Sequence, residues 1–202
     1  GGSPSPDKGD GSLLFSLLPE GVEWSPGLAS ILLVYLVQGA SGVTSLAQTF
    51  FFKNTLGLDA AANTALTGLA ATPWVVKPLY GLLTDTVPIG GLRRQPYLVA
   101  AGILGSVAWL ALGTTVTSVE TATVAIAANN LAIAFADVVA DSLCVETARR
   151  EGTAAGPDSE QRVAAALQSL CWSSRYAGAL AAALASGPLL EAFTPRQIFI
   201  GA

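Results

Sequence analysis

Between Leu28 and Phe52 the chain runs without a single Asp, Glu, Lys or Arg, and the stretch from Tyr97 to Val119 is equally clean. A bilayer core about 30 Å thick is crossed by about 20 helical residues, so both runs predict membrane-spanning helices. Three more runs read the same way around isolated charges: about 61–83 with Lys77, about 121–143 with Asp137 and Asp141, and about 163–187 with Arg175. A sixth starts at Gln197 and reaches the last residue, so the chain is expected to stop inside an element. Ahead of them, residues 1–27 read as a flexible leader. Within it, SLLFSLLPEGVEW is either a short interfacial helix anchored by Trp24 or a disordered segment.

Composition agrees with an all-α membrane protein. Charged residues make up 12% of the chain, about half the share usual in a soluble domain. Abundant Gly and Ala suit helices that pack closely in lipid. The ten Lys and Arg are scattered, with no basic stripe interleaved by aromatics, which argues against nucleic acid. With no histidine, Cys144 and Cys171 read as small buried thiols, the alternative being a disulfide or metal site. No cofactor is implied, and no nucleophile–base pair, metal cluster or phosphate loop suggests an enzyme. The chain opens on Gly and contains no Met, so it reads as a processed or excerpted segment.

Lys and Arg in short loops stay on the side from which a chain inserts. Arg93 and Arg94 lie between the second and third runs, and Arg149, Arg150 and Arg162 between the fourth and fifth. With Lys8 these make six, against Lys53 and Arg196 on the other side. The N-terminus is therefore expected in the cytosol, or in the stroma of a plastid.

The segment GLLTDTVPIGGLRR, Gly81 to Arg94, places an acid at a helix end, a glycine turn, and two arginines opening the next helix. It resembles the signature loop between the second and third helices of the major facilitator superfamily. There Gly81 would allow close helix contact, and Arg93 and Arg94 would answer Asp85. Longer runs, FFKNTLGLDAAANTALTGLAATPWVVKPLYGLLTDTVPIGGLRRQPYLV, FADVVADSLCVETARREG and ALQSLCWSS, resemble the folate/biopterin transporter family, notably its plant and algal plastid members. Threonines flank Asp85 where the family pattern leads one to expect serine, and Arg175 has no assigned place in that pattern. The resemblance implies a twelve-helix, proton-coupled carrier of folates or pterins. Of this the chain would be the N-terminal six-helix half, with five full spans and the start of a sixth. It further implies a missing C-terminal half as partner, and a chloroplast envelope location, with the plasma membrane as alternative.

Charge at membrane depth costs about 3 kcal/mol or more, so each such side chain should face a wet cavity or a partner. Lys77 lies eight residues before Asp85, about 12 Å deeper along a helix. Pro73 and Pro78 beside it free backbone carbonyls and should bend the span. Asn130, Asp137 and Asp141 share one helical face, as do Gln168, Trp172 and Arg175. Asp137 is expected to carry a proton or to pair with Lys77 or Arg175. Asp141 and Glu146 are expected nearer the surface, in a gate with Arg149. Trp172 beside Arg175 could sandwich a flat heterocycle, or simply pack against a helix. Gln38, with Ser41 and Ser45, makes a neutral polar face that could bond a pterin ring or satisfy itself between helices.

The substrate-binding candidates are thus Gln38, Lys77, Asn130, Asp137, Trp172 and Arg175. The gating candidates are Gly81, Asp85, Arg93, Arg94, Asp141, Glu146 and Arg149. Within the readable spans Asp137 can neutralise only one of the two deep cations, so the other is expected to need a substrate anion or an acid from elsewhere. Two rival readings remain: the same fold with another organic anion as cargo, and a half-length membrane protein that assembles without transporting.

Overall fold

The computed structural model describes residue 22 and residues 24–155 and 160–202. Apart from Val22 and Trp24, the candidate interfacial helix lies outside them. Among the described residues every regular element is helical.

Helix α1 spans Pro26–Ala40. Ser25 sets its start, its hydroxyl accepting from the Leu28 amide at 3.1 Å while Pro26 fills a first-turn position that needs no donor. Helix α2, Gly42–Phe50, and a π-helical turn at Phe51–Thr55 continue the same rod, 30 residues from Pro26 to Thr55. Helix α5 is Gln95–Thr114, α6 is Val119–Ala155 and α7 is Glu160–Ala192. The short α8, Pro195–Gly201, starts on a capping box between Thr194 and Gln197. Pro26–Thr55, Gln95–Thr114 and Val119–Arg150 are long and apolar enough to cross a membrane. The chain is an all-α membrane protein.

Two elements depart from the hydropathy reading. Region 61–83 is not one continuous helix but three pieces: α3 at Ala60–Ala70, a 3-10 turn at Thr72–Trp74, and α4 at Lys77–Thr86. The fourth and fifth runs, read as 121–143 and 163–187, belong to helices of 37 and 33 residues. At 1.5 Å per residue α6 is about 55 Å long, well beyond the hydrocarbon core. Charge ends an apolar run, but it does not end helical hydrogen bonding. Arg149 and Arg150 therefore stand on a helix rather than in a loop.

Helix α1 packs on α7, α5 on α6, α6 on α7, and the broken α3–α4 pair on α6. The core divides into two apolar clusters. One gathers Phe51, Phe52, Leu112, Val116, Ile126 and Phe199. The other gathers Leu28, Ile31, Tyr35, Cys144, Leu167 and Cys171. Gln38 on the first rod and Asp137 on α6 fall between the two along their helices. Arg175 follows the second cluster on α7. The two cysteines are free buried thiols whose sulfurs approach to 3.9 Å across α6 and α7, a contact their sequence spacing did not suggest.

The α1–α7 crossing sets the polar layer. A Cβ at Gly39 would collide with the Arg175 carbonyl and lie 2.8 Å from the Ala179 nitrogen. A Cβ at Gly178 would collide with the Leu36 carbonyl and lie 2.9 Å from the Ala40 nitrogen. These are backbone atoms and cannot swing aside, so the helices touch only because both positions lack a side chain. Ser174 adds a hydroxyl hydrogen bond to the Leu32 carbonyl at 2.8 Å. We expect Gly178→Ala to lower the thermal unfolding midpoint of the detergent-purified protein, with an overpacking cost of about 1–3 kcal/mol. Gly68→Ala, where no atom lies within 4 Å of the new Cβ, should leave the midpoint unchanged or slightly raised. Equal losses in both variants would refute the close crossing.

Candidate functional site

The break in the second hydrophobic run is what puts Lys77 in place. Proline has no amide hydrogen, so Pro73 and Pro78 each remove a helical donor, and neighbouring carbonyls need other partners. Three side chains supply them: the Thr72 hydroxyl bonds Leu69 O at 2.5 Å, the Asn130 amide bonds Ala70 O at 3.0 Å, and the Tyr80 hydroxyl bonds Pro73 O at 3.0 Å. Asn130 also accepts from the Trp74 indole at 3.1 Å. Asn130, expected among the substrate contacts, thus has both ends of its carboxamide engaged in holding the break against α6. Tyr80 then stacks on Phe135 with ring centroids 4.2 Å apart, fixing α4 to the same helix.

Below the break, Lys77 Nζ pairs with Asp137 Oδ2 and lies 3.4 Å from Asp141 Oδ2. Arg175 reaches the other Asp137 oxygen at 3.2 Å and donates to Gln38 Oε1 at 3.0 Å. One carboxylate is therefore shared by cations from two different helices. The Asp137 side chain is 7% exposed, whereas Lys77 and Arg175 retain 28% and 29%. The cations are partly exposed, and the carboxylate between them is buried.

Asp141, expected nearer the surface in a gate with Arg149, pairs instead with Lys77, its side chain 46% exposed. Its carboxylate belongs to this deep cluster, held by Lys77 and by the hydroxyl of Tyr35, a buried side chain of α1. The expected charge deficit is likewise corrected, because two carboxylates here face two cations. Tyr35 was not singled out in the sequence, although it lies three residues before Gln38 and so on the same face of α1.

The remaining binding candidates are less engaged. Arg175 stacks over Trp172, with the guanidinium carbon 5.5 Å from the ring centroid. Trp172 is 42% exposed, so the described helices do not bury it as a packing residue. Gln168, on the same face, is exposed. Ser41 donates its hydroxyl to Val37 O and lines the same groove as Gln38. Gln38 Nε2 is buried without a partner among the described residues. It borders a groove of about 390 Å³ that is also lined by the buried Asn129, another residue the sequence reading passed over.

At the far end of α4, Gly90 and Gly91 take φ of 60° and 80°, closing a two-residue turn between Ile89 and Leu92 that residues with a Cβ rarely form. This turn delivers Arg94, not Arg93, to the acids. Arg94 bonds Asp85 at 3.2 Å, Glu146, and the Ser142 carbonyl at 3.3 Å, tying α4, α5 and α6 together. Arg93 is exposed and has no hydrogen bond or ion pair to a described residue. Glu146 thus meets Arg94, while Arg149 lies 3.9 Å from Glu160 at the start of α7. Gly81 is not required for close packing, since a Cβ there would sit at an ordinary 3.6 Å from Val138.

Residues 38–201 match the BT1 family. A folate-biopterin transporter of Synechocystis is 43% identical over 183 residues, covering 91% of this chain and 35% of the relative. A probable folate-biopterin transporter of Arabidopsis thaliana is 33% identical over 84% of this chain and 34% of its own length. A Plasmodium falciparum folate transporter is 30% identical over 84% of this chain and 36% of its own. The chain therefore spans about a third of the length of these relatives, which are named as transporters and not as enzymes. No solved structure matches it. With the family match running through the broken second run, the shared carboxylate and the arginine turn, the chain belongs to the BT1 family.

Proposed function

We propose that the chain forms part of a proton-coupled carrier of folates or pterins, in which Lys77 and Arg175 receive a substrate carboxylate. One observation carries this reading: two partly exposed cations on different helices share a buried carboxylate that an incoming anion can partly replace. Trp172, stacked on Arg175, offers an exposed ring face to a flat heterocycle. The names of the relatives supply the cargo class. In our reading Pro26–Thr55, the α3–α4 pair, α5, α6 and α7 are five spans and α8 opens a sixth. The two thirds of the relatives' length that this chain does not match would supply the opposing wall and the rest of the site. A plastid-type envelope is the membrane we propose, resting on the plant relatives alone.

Uptake by the full gene product, with folate, biopterin and simple carboxylates as competitors, tests the cargo. Competition by simple carboxylates as effective as that by folate would favour a general organic-anion carrier. Lys77→Gln should weaken folate, which carries a glutamate tail, more than biopterin, which has none. The difference should be about 1 kcal/mol or more, the range of a lost charge-assisted hydrogen bond. Equal losses would assign Lys77 a purely structural role.

The arginine turn yields a separate expectation for the gate. Arg94→Gln removes one partner from both Asp85 and Glu146 and should slow uptake while leaving apparent substrate affinity within about threefold, since surface ion pairs are weak individually. Arg93→Gln should transport like the parent. Slowing by Arg93→Gln equal to that by Arg94→Gln in initial-rate measurements would remove the gating assignment.

A further inference from the structure

Resting on that cargo reading, the charge balance around Lys77 identifies where the proton goes. Lys77 and Arg175 face Asp137 and Asp141, and the four charges close to zero when all are ionised. A substrate carboxylate entering between the cations brings a third negative charge to two positive ones. A site at membrane depth does not tolerate that surplus, so one carboxyl must be neutralised as the substrate binds.

Asp137 is poorly suited to this. Each of its oxygens holds a cation and its side chain is 7% exposed, so a proton there would strand Lys77 and Arg175 together. Asp141 is arranged differently. Its side chain is 46% exposed, its only cation among the described residues is Lys77 at 3.4 Å, and its other oxygen is fixed by the Tyr35 hydroxyl.

We propose that Asp141 is the coupling carboxylate, taking one proton from a hydronium ion of the aqueous phase for each substrate molecule whose carboxylate binds at Lys77. The step makes one O–H bond at Oδ2, the oxygen that Lys77 leaves, and consumes one hydronium. Oδ1 keeps the Tyr35 hydrogen bond throughout, so Tyr35 is a positioning residue that holds the carboxyl in line between its two states. When the substrate departs, Lys77 returns and the proton leaves. The titratable groups facing Asp141 are Tyr35 from α1, Lys77 from α4, Asp137 and Cys144 on its own helix, and Cys171 from α7. Of these Lys77 is the one whose position a substrate anion changes directly.

The test uses the full gene product in proteoliposomes with labelled folate. At one proton per folate molecule and with no membrane potential, an inward gradient of one pH unit sustains up to about tenfold accumulation. In Asp141→Asn this ratio should fall to about one while counterflow exchange of folate persists, because the variant carries the neutral form permanently. Tyr35→Phe should keep the accumulation and shift the pH at which uptake is half-maximal. Asp141→Asn that accumulates folate like the parent overturns the proposal. If the parent moves neither folate nor biopterin, the cargo reading fails on its own. The proton assignment is then decided by pH-difference infrared spectra of the substrate-free protein. A carboxylic-acid band absent from Asp141→Asn but retained in Asp137→Asn supports it, and an unchanged band in Asp141→Asn refutes it.

Discussion

An ionised side chain within a bilayer must have a partner, and the organisation of this molecule follows from how Asp137 meets that demand for two cations at once. Lys77 arrives from α4 and Arg175 from α7, and each takes one oxygen of the same carboxylate. Arg175 reaches it across the packing of α7 on α6, while Gly39 and Gly178 let α1 and α7 lie in backbone contact. The same contact brings Gln38 against the guanidinium. For Lys77 to reach it, the second hydrophobic run must break, and Asn130 on α6 anchors that break seven residues from Asp137 on the same helix. Helix α6 is therefore the common support: it carries the shared acid, the anchor of the break, Asp141, and Glu146 of the arginine turn.

Two layers of charge result, and they are built differently. In the deep one Asp137 is buried while Lys77, Arg175 and Asp141 stay partly exposed, so an anion that reaches the cations must exchange with an existing partner. The one around Arg94 has exposed acids, with 56% and 69% of the Asp85 and Glu146 side chains accessible. Water screens such pairs and makes them cheap to open, which suits a contact that forms and breaks as helices move. Asp141 lies between the two layers in sequence and belongs by contact to the deeper one.

Hydropathy made the helices legible because lipid imposes a length and forbids unpaired backbone, and those demands are written in composition. The long motifs made the family legible in the same way, residue by residue. Which charge meets which did not follow, because it depends on the rotation of each helix about its axis and on the depth at which two helices cross. The face shared by Asp137 and Asp141 could be seen from their spacing of four residues, yet the partner of Asp141 could not, since Tyr35 lies 106 residues away on α1. Arg93 and Arg94 were indistinguishable in sequence until the Gly90–Gly91 turn decided which of them points at the acids. Asn129 and Asn130 differ in the same way, one lining a groove and the other bound at the break.

The sharing of Asp137 is tested most directly by a double-mutant cycle on thermal or denaturant stability of the purified full gene product, using Lys77→Gln, Asp137→Asn and the two together. Asp137→Asn alone leaves two cations facing one carboxylate, whereas the double variant leaves Arg175 and Asp141 in balance. The double variant should be no less stable than Asp137→Asn alone, with a coupling energy of about 1–3 kcal/mol between the positions. Losses that simply add would show that Lys77 and Asp137 do not depend on each other, and would contradict the account.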